Sequence, residues 1–203
     1  MSNAKHGTNF IYLASRSPRR CELLQQLGMS FEQVPADIDE SIQAGEKPED
    51  YVLRMSLEKA RVAASKLDSL NVPVLGADTA VVVDGQILGK PESKEDAFAM
   101  LRKLSDNTHD VLSAIALVGG DDELFDLNCT KVSFRCISDA EMTAYWALDE
   151  SSDKAGAYAI QGYAALFIEQ ISGSYSGVMG LPLFETGRLL ESFGYRLLGK
   201  VVH

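Results

Sequence analysis

The chain has 203 residues, 46% of them hydrophobic and 24% charged, enough apolar surface for the core of one α/β domain or of two lobes around a cleft. Its formal net charge of −10 excludes a broad electrostatic footprint for nucleic acid, so positive charge for any phosphate-bearing ligand has to be concentrated locally. No apolar run approaches the roughly 20 residues that span a bilayer, and the scattered Cys21, Cys129 and Cys136 form neither a disulfide framework nor a Cys-x-x-Cys knuckle, which favours a reducing compartment.

The start of the chain, Met1 to Gly7, is small and polar, without the charged-then-apolar pattern of a signal peptide. Ser2-Asn3-Ala4 reads as a cloning remnant, so residues 1–9 are expected to be a disordered N-terminal segment or tag remnant ahead of a single domain over 10–203. Residues 10–14 read as a short buried strand. Ser17 as N-cap and Pro18 at the first helical position open a helix that runs to about Leu27 and ends at Gly28. A second strand over 29–34 leads into an acidic loop, Asp37-Ile38-Asp39-Glu40. Over 48–67 the apolar residues Leu53, Leu57, Ala60, Ala64 and Leu67 make one helical stripe, with Glu58 and Lys59 off it.

A strand begins at Val72 and continues through Asp78-Thr79 to Val83; Asp84-Gly85 turns it into a hairpin with Gln86-Ile87-Leu88. Ser93 with Asp96 starts a helix reaching Leu104. Strands are expected over 111–118 and, in one or two segments, over 124–135, with a turn at 119–122. Ser138 with Glu141 is a capping box for a helix through Leu148, a polar loop covers 149–154, 165–171 reads as a strand, and Leu181 or Pro182 opens a last helix to Phe193. Irregular alternation with hairpins predicts a mixed sheet.

Three segments carry chemistry. Ser15-Arg16-Ser17-Pro18-Arg19-Arg20 lies between a strand and a helix N-terminus, where free N–H groups and the helix dipole favour an anion and guanidinium groups would clamp phosphate; the bland alternative is a capped helix with solvated arginines. Asp78 interrupts an apolar strand beside Gly76 and Ala77, and a buried carboxylate needs a metal, water or a cationic partner. Asp37, Asp39 and Glu40 are on their own a solvated acidic loop, but one of them beside Asp78 would make an oxygen-rich site suited to Mg²⁺ or Mn²⁺. Lys59, Lys90 and Lys154 are singly unremarkable. His109 stands far from His6 and His203 in sequence, which argues against a histidine zinc site. Gly85 to Pro91 is one residue short of a P-loop and ends in Pro, and neither a Gly-x-Gly-x-x-Gly fingerprint nor a Gly-x-Ser-x-Gly elbow is present.

Together these segments resemble the Maf family of nucleotide pyrophosphatases. The resemblance is carried by Leu13-Ala14-Ser15-x-Ser17-Pro18-Arg19-Arg20, Asp39-Glu40, Glu58-Lys59-Ala60, Gly76-Ala77-Asp78-Thr79, Gly89-Lys90-Pro91, Asp153-Lys154-Ala155-Gly156 and Gly180-Leu181-Pro182, collinear over nearly the whole chain after residue 10. It implies an α/β fold with a mixed, elongated sheet flanked by helices and two lobes around a central cleft, similar to inosine triphosphate pyrophosphatases. It also implies hydrolysis between the α and β phosphates with a divalent metal, Mg²⁺ or Mn²⁺. On that resemblance Asp78 is the expected proton acceptor or metal ligand and Glu40 the second metal carboxylate, while Ser15, Arg20, Lys59 and Lys90 hold the triphosphate. Arg19, Thr79 and Gln161 match positions that accompany dTTP and UTP preference in one branch; Ala159 stands where that branch more often has Gly. The expected protein is cytoplasmic, acts on a small nucleoside triphosphate, including 5-modified uridine triphosphates, and takes neither nucleic acid nor membrane as partner. The resemblance further suggests a homodimer. Alternatives are a 7-methyl-GTP-preferring enzyme of the same family, a non-catalytic nucleotide-binding regulator of cell division, and a scaffolding protein.

Overall fold

A computed structural model describes residues 9–69 and 71–198; the expectation of a disordered or tag-derived start falls, but for Asn9, outside the described residues. The elements in chain order are β1 (Phe10–Leu13), α1 (Pro18–Gln26), β2 (Ser30–Gln33), α2 (Pro48–Ala64), β3 (Val74–Val83), β4 (Gln86–Leu88), α3 (Lys94–Leu104), β5 (Thr108–Gly119), β6 (Asp122–Phe134), α4 (Asp139–Trp146), β7 (Ile168–Ser172), α5 (Tyr175–Met179) and α6 (Leu183–Ser192). Short 3-10 turns cover Ala155–Ala157 and Tyr163–Leu166.

The seven strands form one mixed sheet in the order β2-β1-β3-β5-β6-β7, with β4 paired to β3. β1 runs parallel to β2 and β3, and the other pairs are antiparallel. Local signals set most boundaries. Asp84 and Gly85 both take positive φ in the β3–β4 turn, the geometry that matches a two-residue hairpin to strand twist. Ser93 accepts from the Asp96 N–H, and Ser138 with Glu141 makes the full capping box.

The arrangement of β3 explains where a cleft can form. β5 takes one edge of β3 along most of its length, from Val74 to Val82. On the other edge, β1 pairs only as far as Leu75 and β4 only from Val81. Among the described residues no strand lies beside 76–80 on that edge, and Asp78 and Thr79 lie in the gap. Apolar clusters sit on either side of it. One joins Ile11, Leu13, Leu24, Leu75, Leu117 and Leu190; another joins Val81, Leu88, Leu101, Leu104, Phe134 and Tyr145.

Helix α2 lies against β3 closely enough that a Cβ at Gly76 would run into the Ser56 carbonyl, so only glycine fits there. Its buried face is Val52, Met55, Ser56, Lys59, Ala60, Ala63 and Ala64, with Leu53 and Leu57 half-buried beside it. Lys59 thus sits on the buried stripe and not off it. Periodicity counts apolar residues alone, whereas this lysine turns inward because carboxylates receive its ammonium group. Three further corrections are local. Ser17 occupies the N-cap position without a side-chain cap bond; its N–H is instead met by the Ser15 hydroxyl at 3.1 Å. The last strand starts at Ile168, because residues 163–166 coil into a 3-10 turn. The five-residue α5, capped by Ser174, is too short and too rich in Ser and Gly to show a period.

His109 is 2% exposed. Its Nε2 is 2.9 Å from the Tyr158 hydroxyl and its ring meets Phe134 and Tyr158 edge-on, while Nδ1 has no partner among the described residues. Burial, opposed by the charge of Asp110, pushes its pKa down to about 4 from 6.5. The unfolded chain therefore takes up this proton near pH 6.5 and the folded chain only near pH 4, so acidification through that window favours unfolding. The loss is expected to reach about 3 kcal/mol at the acid end. Urea unfolding of wild type and His109→Gln from pH 7 to pH 4 measures it: the variant should lose less stability over the window, and parallel curves would refute the assignment.

Candidate active site

The gap beside β3 opens into a cleft of about 830 Å³, within the range of small-ligand sites. Its lining includes all nine residues expected from the sequence: Ser15, Arg19, Arg20, Glu40, Lys59, Asp78, Thr79, Lys90 and Gln161. The cationic lining residues Arg16, Arg19, Arg20, Lys59, Lys90 and Lys154 outnumber the carboxylates of Asp37, Glu40, Asp78 and Asp153. Positive charge is thus gathered in one place in an otherwise acidic molecule.

Ser15 follows β1 and leads into α1. Its Oγ accepts from the Ser17 N–H at 3.1 Å and from Arg20 Nη1 at 3.4 Å, which leaves its own hydrogen to donate. Gln33 Nε2 bonds the Ser15 carbonyl at 2.9 Å and ties this loop to β2. Arg20, in the first turn of α1, is held on three sides: Nε donates to the Gly180 carbonyl at 2.8 Å, Nη1 to Ser15 and Nη2 to Thr79 Oγ1 at 3.4 Å. Gly180 ends α5 with φ of 117°, a left-handed position that suits glycine. Burial lowers the pKa of Arg20 against the attraction of Asp78 and Glu40, but a guanidinium stays charged. Arg16, by contrast, is exposed and forms a two-pronged pair with Asp37.

Asp78 is 9% exposed. Its Oδ1 receives Lys59 Nζ at 2.7 Å, and the same ammonium meets Glu40 Oε1 at 2.7 Å. Burial raises the Asp78 carboxyl above the usual range despite the opposing charges of Lys59 and Arg20, and Glu40 adds to the rise. For Glu40 burial also acts upward, but the bond to Lys59 and the charges of Lys59, Lys90 and Arg20 outweigh it and the net shift is down. The two carboxyls of one pocket are thereby shifted in opposite directions, Asp78 up and Glu40 down.

The acidic loop is anchored from α2. Arg54 clamps Glu46 through two bonds of 2.6 and 2.7 Å and also reaches the Ser41 carbonyl, and the Tyr51 hydroxyl donates to the Glu40 carbonyl at 3.1 Å. Tyr51 lines the cleft, and burial together with Asp78 and Glu40 pushes its pKa up to about 12. Asp39 is exposed and accepts the Ser41 N–H. Among the described residues no group of three or more His, Cys, Asp or Glu side chains is placed to hold a metal ion. Glu40 and Asp78 do, however, point oxygens at one shared cation, so both lie within 2.7 Å of a single point now taken by the Lys59 ammonium.

Lys90, Lys154 and Gln161 complete the rim. Lys154 contacts Asp153, and burial, Arg19 and Lys90 lower its pKa, the sign of a crowded cationic wall. Lys90 and Gln161 are exposed. The sequence reading missed Tyr51, Gln33 and Ser113, the last of which bonds Thr79 at 3.0 Å. No local pattern marks them, since each matters only through what the fold lays beside it.

Known proteins resemble this chain over most of its length. The dTTP/UTP pyrophosphatase of Methylobacillus flagellatus is 52% identical over 189 residues, 93% of this chain and 95% of that protein. The dTTP/UTP pyrophosphatase of Aromatoleum aromaticum is 51% identical over 92% of this chain and 97% of its own length. That of Escherichia coli K12 is 48% identical over 90% and 92%. A solved structure, the Staphylococcus aureus Ham1 protein, overlaps with a TM-score of 0.46 at 17% identity, over 62% of this chain and 72% of that one. The profile described as Maf-like protein matches residues 10–193, from the first strand to the end of α6 and through every segment that lines the cleft, and the chain belongs to the Maf family.

Proposed function

We propose that this chain is a nucleoside triphosphate pyrophosphatase that hydrolyses dTTP and UTP, and 5-modified uridine triphosphates, to the monophosphate and diphosphate. The observation that carries the reading is the Glu40–Lys59–Asp78 bridge facing Arg20 and Lys90 in one cleft, taken with relatives near 50% identity named for that activity. We place the enzyme in the cytoplasm, consistent with three free cysteines, and read residues 10–203 as one two-lobed domain. No described helix is long and apolar enough to cross a membrane.

The chemistry follows from what each group can do. Ser15 Oγ–H, the Arg20 guanidinium, Lys59 and Lys90 bind and orient the triphosphate, Arg20 as a fork and the lysines as point charges. Glu40 and Asp78 are the residues that would hold a divalent ion, Mg²⁺ or Mn²⁺, which would supply charge neutralisation and a more acidic water. Lys59, which bridges Glu40 and Asp78 in the free cleft, would exchange one of these contacts for phosphate when substrate binds. Asp78, its carboxyl raised by burial, takes the proton of the attacking water as the α–β anhydride bond breaks and diphosphate leaves. Arg19, Thr79 and Gln161 meet the pyrimidine; a glutamine amide offers a donor and an acceptor to the O4/N3–H edge.

A pyrophosphate-release panel across canonical, 5-modified and 7-methylguanosine triphosphates, run with Mg²⁺, with Mn²⁺ and with chelator, tests this. Release from dTTP and UTP above the purine nucleotides, lost on chelation, is the expected result. No release from any triphosphate would overturn the enzymatic reading, and a maximum with 7-methyl-GTP would move the chain to the other branch.

A further inference from the structure

Ser113 lies in the middle of β5, directly opposite Thr79 in the β3–β5 ladder, and is fully buried. Its Oγ is 2.6 Å from the Gly177 carbonyl oxygen. A carbonyl can only accept, so the single Ser113 hydroxyl proton is spent there. The Ser113 and Thr79 hydroxyl oxygens are 3.0 Å apart. With the Ser113 proton committed, the hydrogen in that contact belongs to Thr79. Thr79 Oγ1 then has only lone pairs left, one of which faces Arg20 Nη2 at 3.4 Å. Towards the cleft Thr79 is an acceptor and nothing else. Ser15 is its opposite, accepting twice and keeping its proton for the ligand.

We propose that Ser113 is a positioning residue for base selection: by holding the Thr79 hydroxyl proton it makes Thr79 an obligate acceptor, which selects a pyrimidine that carries N3–H. Uracil and thymine present that hydrogen. Cytosine in the same pose presents a bare N3 lone pair to Thr79, two acceptors face each other, and N3 is left without a partner. The inference rests on the reading of Thr79 as a base contact, and it assigns the discrimination to a residue that never touches the nucleotide. Ser113→Ala or Ser113→Cys frees the Thr79 hydroxyl to turn and donate, so the same oxygen can serve either base.

The experiment is the ratio of kcat/KM for UTP over CTP, with dTTP over dCTP in parallel, in wild type, Ser113→Ala, Ser113→Cys, Thr79→Val and Thr79→Ser. The ratio is expected to fall about tenfold or more in Ser113→Ala and Thr79→Val, and to be kept in Thr79→Ser, which retains the hydroxyl. Melting curves show whether each variant folds; should Ser113→Ala not fold, the near-isosteric Ser113→Cys, a poor donor and acceptor, takes its place. A purely structural Ser113, acting through the placement of Arg20, would lower both nucleotides equally and leave the ratio unchanged, and that result overturns the proposal. A wild type that hydrolyses UTP and CTP equally overturns it too, while leaving the pyrophosphatase reading intact. A wild type that hydrolyses no triphosphate is the separate failure of that reading.

Discussion

Asp78→Asn is expected to lower kcat for dTTP by about 10³-fold, the usual worth of a positioned general base, with little change in KM. The substitution is nearly isosteric, and Lys59 keeps its 2.7 Å bond to Glu40, so the cleft retains its cationic wall. What disappears is a group able to take a proton, together with one of the two carboxylates proposed to hold the metal. The variant should therefore still bind: dTTP at about 100 times its Kd stabilises a folded protein by about 2.7 kcal/mol, and the corresponding rise in melting temperature should persist. Full turnover in the variant would remove Asp78 from the role of base. In the wild type, burial raises the Asp78 carboxyl and the base works only when ionised. A regulator that binds nucleotide without turnover would show no loss on this substitution.

Arg20→Ala is expected to reduce kcat/KM by about 10²-fold or more, the scale found when one pre-placed donor to a developing charge is removed. Arg20 is fixed by Gly180, Ser15 and Thr79, so the fork it offers to phosphate is paid for before substrate arrives. The same deletion loosens Ser15 and Thr79, and its effect should not add to that of Thr79→Val. Arg16→Ala is the control. Arg16 is exposed and spends its guanidinium on Asp37 at the surface, and exposed pairs of this kind contribute little, so its kcat/KM should stay close to wild type. Equal losses in the two variants would mean that the loop presents its arginines differently from the arrangement described.

Much of the architecture was legible from neighbours along the chain. Asp84-Gly85, the Ser93 cap and the Ser138–Glu141 capping box lie within a few residues of the backbone groups they satisfy, so composition alone locates them. The misses have different causes. Lys59 could be placed on a helix but not on its buried face, because the carboxylates that draw it inward come from positions 40 and 78. Ser174 caps α5 over three residues, yet a single turn of helix has no period to detect, and the start of β7 was misplaced because residues 163–166 coil before the strand begins.

By itself the sequence determined most of the strands, the Ser93 and Ser138 caps, the hairpin, a local concentration of basic residues at the β1–α1 turn, and through its motifs the family. Only the tertiary structure decided that β1 stops and β4 starts on the same edge of β3 with a gap between them. Only it decided that one ammonium joins two distant carboxylates across that gap, and that a buried serine on the next strand settles which way a threonine hydroxyl points. Caps and turns are interactions over three or four residues and leave a trace in local order. Pairing edges and hydroxyl directions are interactions over tens of residues, and they exist only once the chain has closed on itself.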